Sequence, residues 1–259
     1  LAGTYGSQYA AAVPGTQQAP VKIAGETDLQ GHLVTISPAA GDGLFVDNPA
    51  YLVIEDLTFS GTASNGILIS DGGNPSDPDA AHDLIVRNVS VTGAASNCIH
   101  LNGVRDFLVE GAELTGCGDT GILVIGGRDG LVTGSPLTDF SSSLSEAIEI
   151  RGGSTDIRVH GNRLTSMAGR AIQVGGATGV AYFKPPLEPD PAVSYEAERV
   201  KVESNIIVAC NTAVTFVNCN DSVAANNTII EPSAFITRIL QEHLSDAIYT
   251  FGPAANSSF

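Results

Sequence analysis

The segment Ala-Ile-Glu-Ile-Arg-Gly-Gly at residues 147–153 is one copy of a short unit that recurs along most of the chain. Each copy starts with a small residue, followed by two apolar residues that flank a variable one. The copies begin 23, 32, 23, 26, 24 and 42 residues apart, and a second apolar segment follows each of them. The seven copies lie at residues 43–46, 66–69, 98–101, 121–124, 147–150, 171–174 and 213–216.

A repeat near 23 residues that contains two or three short strands is typical of a β-solenoid. One coil cannot bury its own apolar face, whereas stacked coils bury a continuous core. Inside the second segment a residue that tolerates positive φ recurs, as the corner of a coil requires. We therefore predict an all-β, single-stranded parallel β-helix with about 22–26 residues per coil. The corner residues are Asp56, Asn88, Gly111, Gly134, Gly161, Ser204 and Asn226.

The domain organisation follows from the same spacing. Residues 1–259 are predicted to form one β-helix domain, with loops let out of the coils near residues 72–82 and 182–198. Such loops commonly wall a binding groove. Residues 234–243 and 245–251 are predicted to be two strands of a last coil, with Arg238 pointing outward. Residues 1–5 have the pattern of the middle of a strand and turn, and the last coil carries no obvious polar cap, so we expect the chain to be a fragment of a longer solenoid.

The charge and the apolar content of the chain argue against some classes of function. The chain has 28 acidic and 12 basic residues and a net charge of −16, which argues against a nucleic-acid partner. An anionic polysaccharide would need a local basic patch. No apolar run approaches the roughly 20 residues of a membrane span, and no signal peptide is visible.

The four cysteines lie outside any Cys-x-x-Cys pair, so a zinc site is not expected. We interpret them as small apolar residues that fill turns and the core. The alternative is up to two disulfides, for which three full pairings are open. The four are Cys98, Cys117, Cys210 and Cys219.

The opening of the chain contains GTY at residues 3–5, GTQQAPVKI at residues 15–23 and YLVIEDLTF at residues 51–59. Together with the recurring units, these segments resemble the right-handed parallel β-helix proteins of the pectin-lyase-like superfamily. Their beginning is similar to secreted polysaccharide lyases of the alginate lyase and chondroitinase B group. The resemblance covers most of the chain and implies a right-handed coil and an extracellular or periplasmic location. The catalytic lysine–arginine pattern of the alginate lyase group is absent, so no catalytic residue is carried over.

Alternation along the first strand of each coil predicts which side chains face outward. The outward positions carry polar residues on the middle coils, and Leu123 and Ile125 lie between them as an apolar floor for a sugar face. His100 and Glu149 are expected about 10 Å apart, two coils at the ordinary strand spacing. The polar outward residues are His100, Asn102, Glu149, Arg151 and Gln173.

The fold and these residues favour a lyase that cleaves uronic-acid polysaccharide by β-elimination. That chemistry needs a cation or metal to neutralise the carboxylate, a base for the sugar proton and an acid for the leaving oxygen. Arg151, Arg170 and Lys184 are candidates to neutralise, with the last two leaning over the Glu149 face, and His100 or His160 is the candidate base. The candidate catalytic residues are therefore His100, Glu149, Arg151, Arg170, Lys184 and His160. The candidate substrate-binding residues are Asn102, Gln173, Arg158 and Lys201.

Other functions remain open on this fold, which hosts many activities. A glycoside hydrolase needs two carboxyl groups about 5–9 Å apart, and Glu149 is alone on the outward strip. Glu146 and Asp119 lie in turns of unknown direction. A non-catalytic carbohydrate-binding or surface solenoid and an epimerase are further alternatives.

We expect either no cofactor or a calcium ion. Hard oxygen ligands cluster in the loop near residues 72–82, and carboxylates suit Ca²⁺. The candidate ligands are Asp71, Asp77, Asp79 and Asp83.

Overall fold

The structure is a computed structural model that describes residues 3–11, 13–26, 34–74, 76–77, 81–189 and 192–259. The described residues form 28 strands and one short 3₁₀ helix, Val180–Tyr182. In chain order the strands are β1 (Gly3–Tyr5), β2 (Gln8–Ala11), β3 (Val21–Ala24), β4 (Val34–Ile36), β5 (Leu44–Asp47), β6 (Ala50–Glu55), β7 (Thr58–Ser60), β8 (Ile67–Ser70), β9 (His82–Arg87), β10 (Ser90–Thr92), β11 (Ile99–Asn102), β12 (Arg105–Glu110), β13 (Glu113–Thr115), β14 (Thr120–Ile125), β15 (Arg128–Thr133), β16 (Pro136–Phe140), β17 (Glu146–Arg151), β18 (Ser154–His160), β19 (Arg163–Gly175), β20 (Val193–Ser194), β21 (Ala197–Glu198), β22 (Lys201–Glu203), β23 (Ile206–Val217), β24 (Cys219–Asn220), β25 (Val223–Ala225), β26 (Thr228–Ile230), β27 (Phe235–Leu240) and β28 (Thr250–Phe251).

The strands stack in parallel into three faces of a right-handed β-helix, as the repeat and the resemblance predict. The first face contains β2, β5, β8, β11, β14, β17, the ends of β19 and β23, and β27. The second face contains β3, β6, β9, β12, β15, β18, β21, β22, β24 and β25. The third face contains β1, β4, β7, β10, β13, β16, the starts of β19 and β23, and β26. The long strands β19 and β23 bend from the third face into the first.

The core is a set of aliphatic columns, one residue per coil. Ile99 pairs in register with Ile67 on one side and Ile122 on the other, and Ile122 pairs with Ile148. All of these side chains are fully buried. The predicted inward and outward alternation of the first strand is therefore confirmed, and it fixes which side chains reach the outer surface of the first face.

The corners between the second and third faces require left-handed backbone, as the sequence predicts. Asp56 has φ of 56° and Asn226 has φ of 57°, and the equivalent positions between them are also positive. Asp and Asn tolerate this region better than other residues with a side chain. A second left-handed column lies at or near the start of the strands of the second face and was not predicted. It includes Asp83, Asp106, Asp129, Asp156 and Asp221.

Three asparagines inside the corner at the third face form a stack that we call the asparagine ladder: Asn162, Asn205 and Asn227. The Asn205 side-chain oxygen accepts hydrogen bonds from the backbone N and Nδ2 of Asn162, at 2.9 and 3.0 Å. Asn205 Nδ2 donates to the Val159 carbonyl and to Asn227 Oδ1, both at 3.0 Å. The ladder supplies partners for backbone groups that strand pairing leaves unused at the corner.

Two loops leave the coils where the long spacings predict them, between β8 and β9 and between β19 and β21. Arg238 lies on β27 in register with Thr215, as predicted. The prediction of a strand over residues 245–251 is wrong, because only Thr250–Phe251 is a strand there, and it pairs with β20 in the second loop. Ala255 and Ser258 instead bridge to the second face. No helix in the described part of the chain is long and apolar enough to cross a bilayer.

Cys98 and Cys117 form a disulfide, so the interpretation of all four cysteines as free apolar residues is wrong for this pair. The two residues belong to consecutive coils, and their Cα atoms lie 5.7 Å apart. Cys210 and Cys219 are free and buried, as interpreted. Burial raises the pKa of both thiols, which keeps them uncharged.

Replacing Cys98 and Cys117 together by alanine is expected to destabilise the fold by about 3 kcal/mol, because the bond closes a loop near 20 residues long in the unfolded chain. The measurement is the urea midpoint of unfolding, compared with that of a Cys210→Ala variant that keeps the disulfide. Equal midpoints for the double variant and the unchanged protein would contradict the expectation.

Candidate functional site

Two columns of side chains cross the outer surface of the first face. In the first, His100 pairs in register with Leu123, and Leu123 with Glu149, followed by Gln173 and Thr215. In the second column, Asn102, Ile125 and Arg151 follow one another. The structure thus places five of the sequence candidates on one surface, the polar outward residues of β11, β17 and β19.

The apolar part of this surface is covered rather than open. Leu123 is 4% exposed and Ile125 is 9% exposed. The segment after β19 approaches Ile125, since a Cβ on Gly152 would meet Ile125 Cγ2 at 2.7 Å and Thr178 Cγ2 at 3.3 Å. Leu123 and Ile125 therefore do not form the open sugar floor that the sequence suggested.

A compact group of charged and amide side chains lies beside the covered residues, and we call it the first-face cluster: Glu146, Glu149, Arg151, Arg170 and Gln173. Glu149 accepts a hydrogen bond from Gln173 Nε2 at 2.8 Å and lies 3.3 Å from Arg151 Nε. Arg170 donates to Gln173 Oε1 and lies 3.5 Å from Glu146 Oε1. Arg170 also donates a hydrogen bond to Glu242 at 3.1 Å, which connects the cluster to the segment after β27.

The two glutamates of the cluster favour their uncharged forms. Burial raises the pKa of Glu146 to about 8, and the neighbouring Glu149 adds to the increase. The Arg170 guanidinium opposes this increase without cancelling it. Burial also raises the pKa of Glu149, against the effects of Arg151 and Gln173. The cluster therefore holds a carboxylic acid that can donate a proton near neutral pH.

The stability of the protein is expected to fall by about 2 kcal/mol between pH 6.5 and pH 8. Glu146 has an ordinary pKa of 4.5 and a folded pKa of about 8, so the folded state holds the extra proton over that range. His100 acts in the opposite direction, but only between about pH 4 and 6.5, where the unfolded state binds its proton more readily. Above pH 6.5 His100 no longer contributes, and the raised pKa of Glu149 acts in the same direction as that of Glu146.

The measurement is the urea midpoint at both pH values for the unchanged protein, Glu146→Gln and Glu113→Gln. Glu113 is an exposed glutamate on the third face, so its variant should keep the pH dependence. Glu146→Gln should lose most of it. The same pH dependence in Glu146→Gln would show that this carboxyl is not the cause.

His100 lies on β11 in the first column, in register with Leu68 on one side and Leu123 on the other. Its Nε2 atom is buried and has no hydrogen-bond partner among the described residues. Burial lowers the pKa of His100 to about 4, and the nearby Arg151 lowers it further. The imidazole is therefore neutral at physiological pH, with a nitrogen available to accept a proton.

Lys184 does not reach the Glu149 face as the sequence suggested. It forms an ion pair with Asp71, whose side chain is 2% exposed. The Lys184 side chain crosses two coils to reach Asp71. It lies so close to Gly103 and Gly126 that a Cβ atom on either glycine would overlap it. The Asp71 carboxylate is therefore ion-paired with Lys184.

The calcium hypothesis stays a prediction. Asp83 contacts His82 Nδ1 at 2.8 Å, and Asp79 lies outside the described residues. Within the described residues no three histidine, cysteine, aspartate or glutamate side chains come together as a metal site. Asp71, Asp77 and Asp83 are therefore not gathered into such a group.

A pocket of about 380 Å³ opens at the corner between the first and second faces, next to Lys184. We call it the corner pocket. Both inserted loops contribute to its wall, through Ser76 and Asp77 from one and Lys184 and Pro185 from the other. The expectation that the loops wall a groove is met at this corner. Its charged lining residues are Asp71, Asp77, Arg105, Arg128, Asp129 and Lys184.

The remaining sequence candidates lie on a different side of the molecule. Arg158 and His160 are on β18 of the second face, and Lys201 pairs with Arg158 in register on β22. Arg158 Nε donates to Glu203 at 2.8 Å, so part of this basic group is balanced by a carboxylate. The structure therefore separates His160, Arg158 and Lys201 from the first-face cluster.

Two polar groups were missed from the sequence. The sequence predicts a turn of unknown direction at Glu146, whereas Glu146 is the first residue of β17 and belongs to the first-face cluster. Glu196 is fully buried and accepts hydrogen bonds from Thr178 N at 2.7 Å and Gly152 N at 3.0 Å. His243 Nδ1 lies 2.6 Å from Glu196 Oε1, and this contact holds the segment after β27 against the second loop. These long-range contacts leave no local sequence pattern.

Comparison with known proteins identifies the class. Residues 77–243 match the family described as right handed beta helix region, and the chain belongs to that family. No curated protein sequence matches the chain.

Solved structures similar to this chain include an alginate lyase, a bacteriophage tailspike protein and an alginate epimerase. The alginate lyase from Paenibacillus sp. str. FPU-7 is 15% identical with a TM-score of 0.58, over 93% of this chain and 88% of that one. Tailspike protein 2 of bacteriophage CBA120 is 12% identical with a TM-score of 0.53, over 90% of this chain and 38% of that one. The periplasmic alginate epimerase AlgG is 13% identical with a TM-score of 0.49, over 92% and 60%. At these identities the likeness to the first two, whose TM-scores exceed 0.5, shows the fold alone.

Proposed function

We propose that the protein is a secreted polysaccharide lyase that cleaves a uronic-acid-containing chain by β-elimination on the first face. The observation that carries this proposal is a neutral His100 whose buried Nε2 has no hydrogen-bond partner among the described residues and whose pKa is lowered by the Arg151 guanidinium. A neutral base and a cation on the same face, two coils apart, suit removal of a proton next to a carboxylate. The disulfide between Cys98 and Cys117 supports an oxidising, extracellular or periplasmic location.

Arg151 is the residue proposed to neutralise the substrate carboxylate. Its nearest carboxylate is Glu149 at 3.3 Å, and burial favours the uncharged form of Glu149. The positive charge of Arg151 is therefore less compensated than in an ordinary ion pair. Neutralising the uronate carboxylate makes the proton on the adjacent ring carbon more acidic, which is the requirement for elimination.

His100 is the residue proposed to move the proton. Its Nε2 takes the proton from C5 of the uronate, the electron pair of that bond forms the C4–C5 double bond, and the C4–O bond to the next sugar breaks. The departing oxygen then takes a proton from the imidazolium, which returns His100 to its neutral form. The negative substrate carboxylate raises the proton affinity of His100 while substrate is bound. Asn102 is the residue proposed to bind a sugar hydroxyl beside this centre, whereas Gln173 is buried and hydrogen-bonded to Glu149 and Arg170.

The carboxyl pair of the first-face cluster supports a second candidate, a glycoside hydrolase. Glu146 keeps its proton up to about pH 8, as a general acid must, and Glu149 lies on the same strand. Hydrolysis through two carboxyl groups would use these residues and leave His100 without a role. The two candidates therefore predict different products and different essential residues.

The experiment is incubation of the protein with alginate, pectate, chondroitin and related uronate polysaccharides, followed by ultraviolet absorbance and by a reducing-end assay. Elimination raises both signals, because the new double bond is conjugated to the carboxylate. Hydrolysis raises the reducing ends alone. Binding without either signal would refute both enzymatic candidates and favour a non-catalytic carbohydrate-binding solenoid.

A further inference from the structure

The corner pocket is continuous with the first-face site through the backbone of three coils. Asn102 is followed by Gly103, Ile125 by Gly126, and Arg151 by Gly152, and all three glycines have positive φ. Gly103 and Gly126 line the pocket. Lys184 lies over Gly103 and Gly126 at this corner and also lines the pocket. A polysaccharide that places one residue at His100 and Arg151 would therefore pass over Lys184 to place a further residue in the pocket.

The charges of the corner pocket are balanced. Lys184 is engaged by the buried Asp71, and Arg105 donates to Asp106 at 3.1 Å. Arg128 lines the pocket together with Asp129 and Asp77. Three basic side chains thus face three carboxylates, in a protein whose net charge is already −16.

This balance favours an uncharged ligand group. A carboxylate that enters the pocket loses water and meets no excess of positive charge in return. The hydroxyl groups of a neutral pyranose, by contrast, find acceptors on the aspartates and donors on the arginines and the lysine. A volume of about 380 Å³ lies in the usual range of ligand pockets, roughly 300–1,000 Å³.

We infer that the corner pocket binds an uncharged sugar residue adjacent to the uronate that is cleaved. The substrate is then a heteropolysaccharide in which uronate and neutral sugars adjoin, and an uninterrupted polyuronate is a poor substrate. This inference rests on the proposed function for the position of the cleaved residue. The charge balance of the pocket stands independently of the reaction.

The test compares oligosaccharides of equal length, one of uronate residues only and one that alternates uronate with neutral sugar. The unchanged protein is expected to have a kcat/KM about tenfold or more higher for the alternating substrate, equivalent to about 1.4 kcal/mol. Asp129→Asn removes one pocket carboxylate and should raise kcat/KM for the polyuronate several-fold. Asparagine tolerates the positive φ of this position, so the fold should be preserved.

The matched control is Asp221→Asn, at the equivalent left-handed position far from the pocket, and it should leave both values unchanged. A preference for the polyuronate, or the same discrimination in Asp129→Asn as in the unchanged protein, would overturn the inference while leaving the lyase proposal intact.

If neither substrate is cleaved, the lyase proposal fails, and equilibrium binding of the same two oligosaccharides decides the inference. Tighter binding of the alternating one, reduced in preference by Asp129→Asn, would support it, and equal binding would refute it.

Discussion

Replacing His100 by alanine is expected to lower kcat/KM for the cleaved polysaccharide by about 10²–10⁴-fold, the range that a general base contributes. The imidazole is neutral above about pH 4, and its Nε2 has no hydrogen-bond partner in the described part of the chain. The other residues of β11 carry no basic side chain that could accept the sugar proton in its place. The measurement is the initial rate of ultraviolet absorbance increase at several substrate concentrations.

His160→Ala is the matched control for this loss. His160 has the same chemistry but lies on β18 of the second face, so its removal should leave kcat/KM unchanged. Near-normal activity in His100→Ala would eliminate the proposed base. A loss in His160→Ala equal to that in His100→Ala would place the site on the second face instead.

Asn205→Ala is expected to destabilise the fold by about 3 kcal/mol or more, because it leaves several buried polar groups of the asparagine ladder without partners. Asn162 N and Nδ2 lose their shared acceptor, and the Val159 carbonyl loses a donor. Each unsatisfied buried group costs roughly 1–3 kcal/mol. The measurement is the midpoint of urea unfolding at an unchanged slope with denaturant concentration.

The control for the ladder is Asn226→Asp, one position before Asn227. Asn226 is exposed and has positive φ, which aspartate tolerates, so this variant should stay within about 0.5 kcal/mol of the unchanged protein. If Asn205→Ala unfolds at the same urea concentration as Asn226→Asp, the ladder does not stabilise the corner.

The fold could be predicted from the sequence because its signals are local and repeated. Each coil carries the same aliphatic alternation, as at Ile148 and Ile150, and the same left-handed corner, as at Gly161. Stacking then follows from the need to bury the aliphatic columns. The outward positions of His100 and Glu149 were predictable for the same reason.

The candidate site was only partly predictable, because its environment is made by segments distant in sequence. The second loop buries Ile125 and directs Lys184 to Asp71, and neither contact follows from a repeat. The disulfide joins Cys98 to Cys117 through the stacking of two coils. The strength of burial at Glu146, which keeps its carboxyl protonated near neutral pH, likewise depends on how β17 and β19 pack together.

The central claim is that the first face cleaves a uronate chain by elimination, and mass spectrometry of the products formed in isotopically labelled water tests it most directly. Elimination breaks the glycosidic bond without adding water. The account therefore predicts product fragments whose masses sum to that of the substrate, with no label incorporated and with one fragment carrying the double bond. Incorporation of one labelled oxygen per bond cleaved would contradict it and assign hydrolysis to the carboxyl pair Glu146 and Glu149.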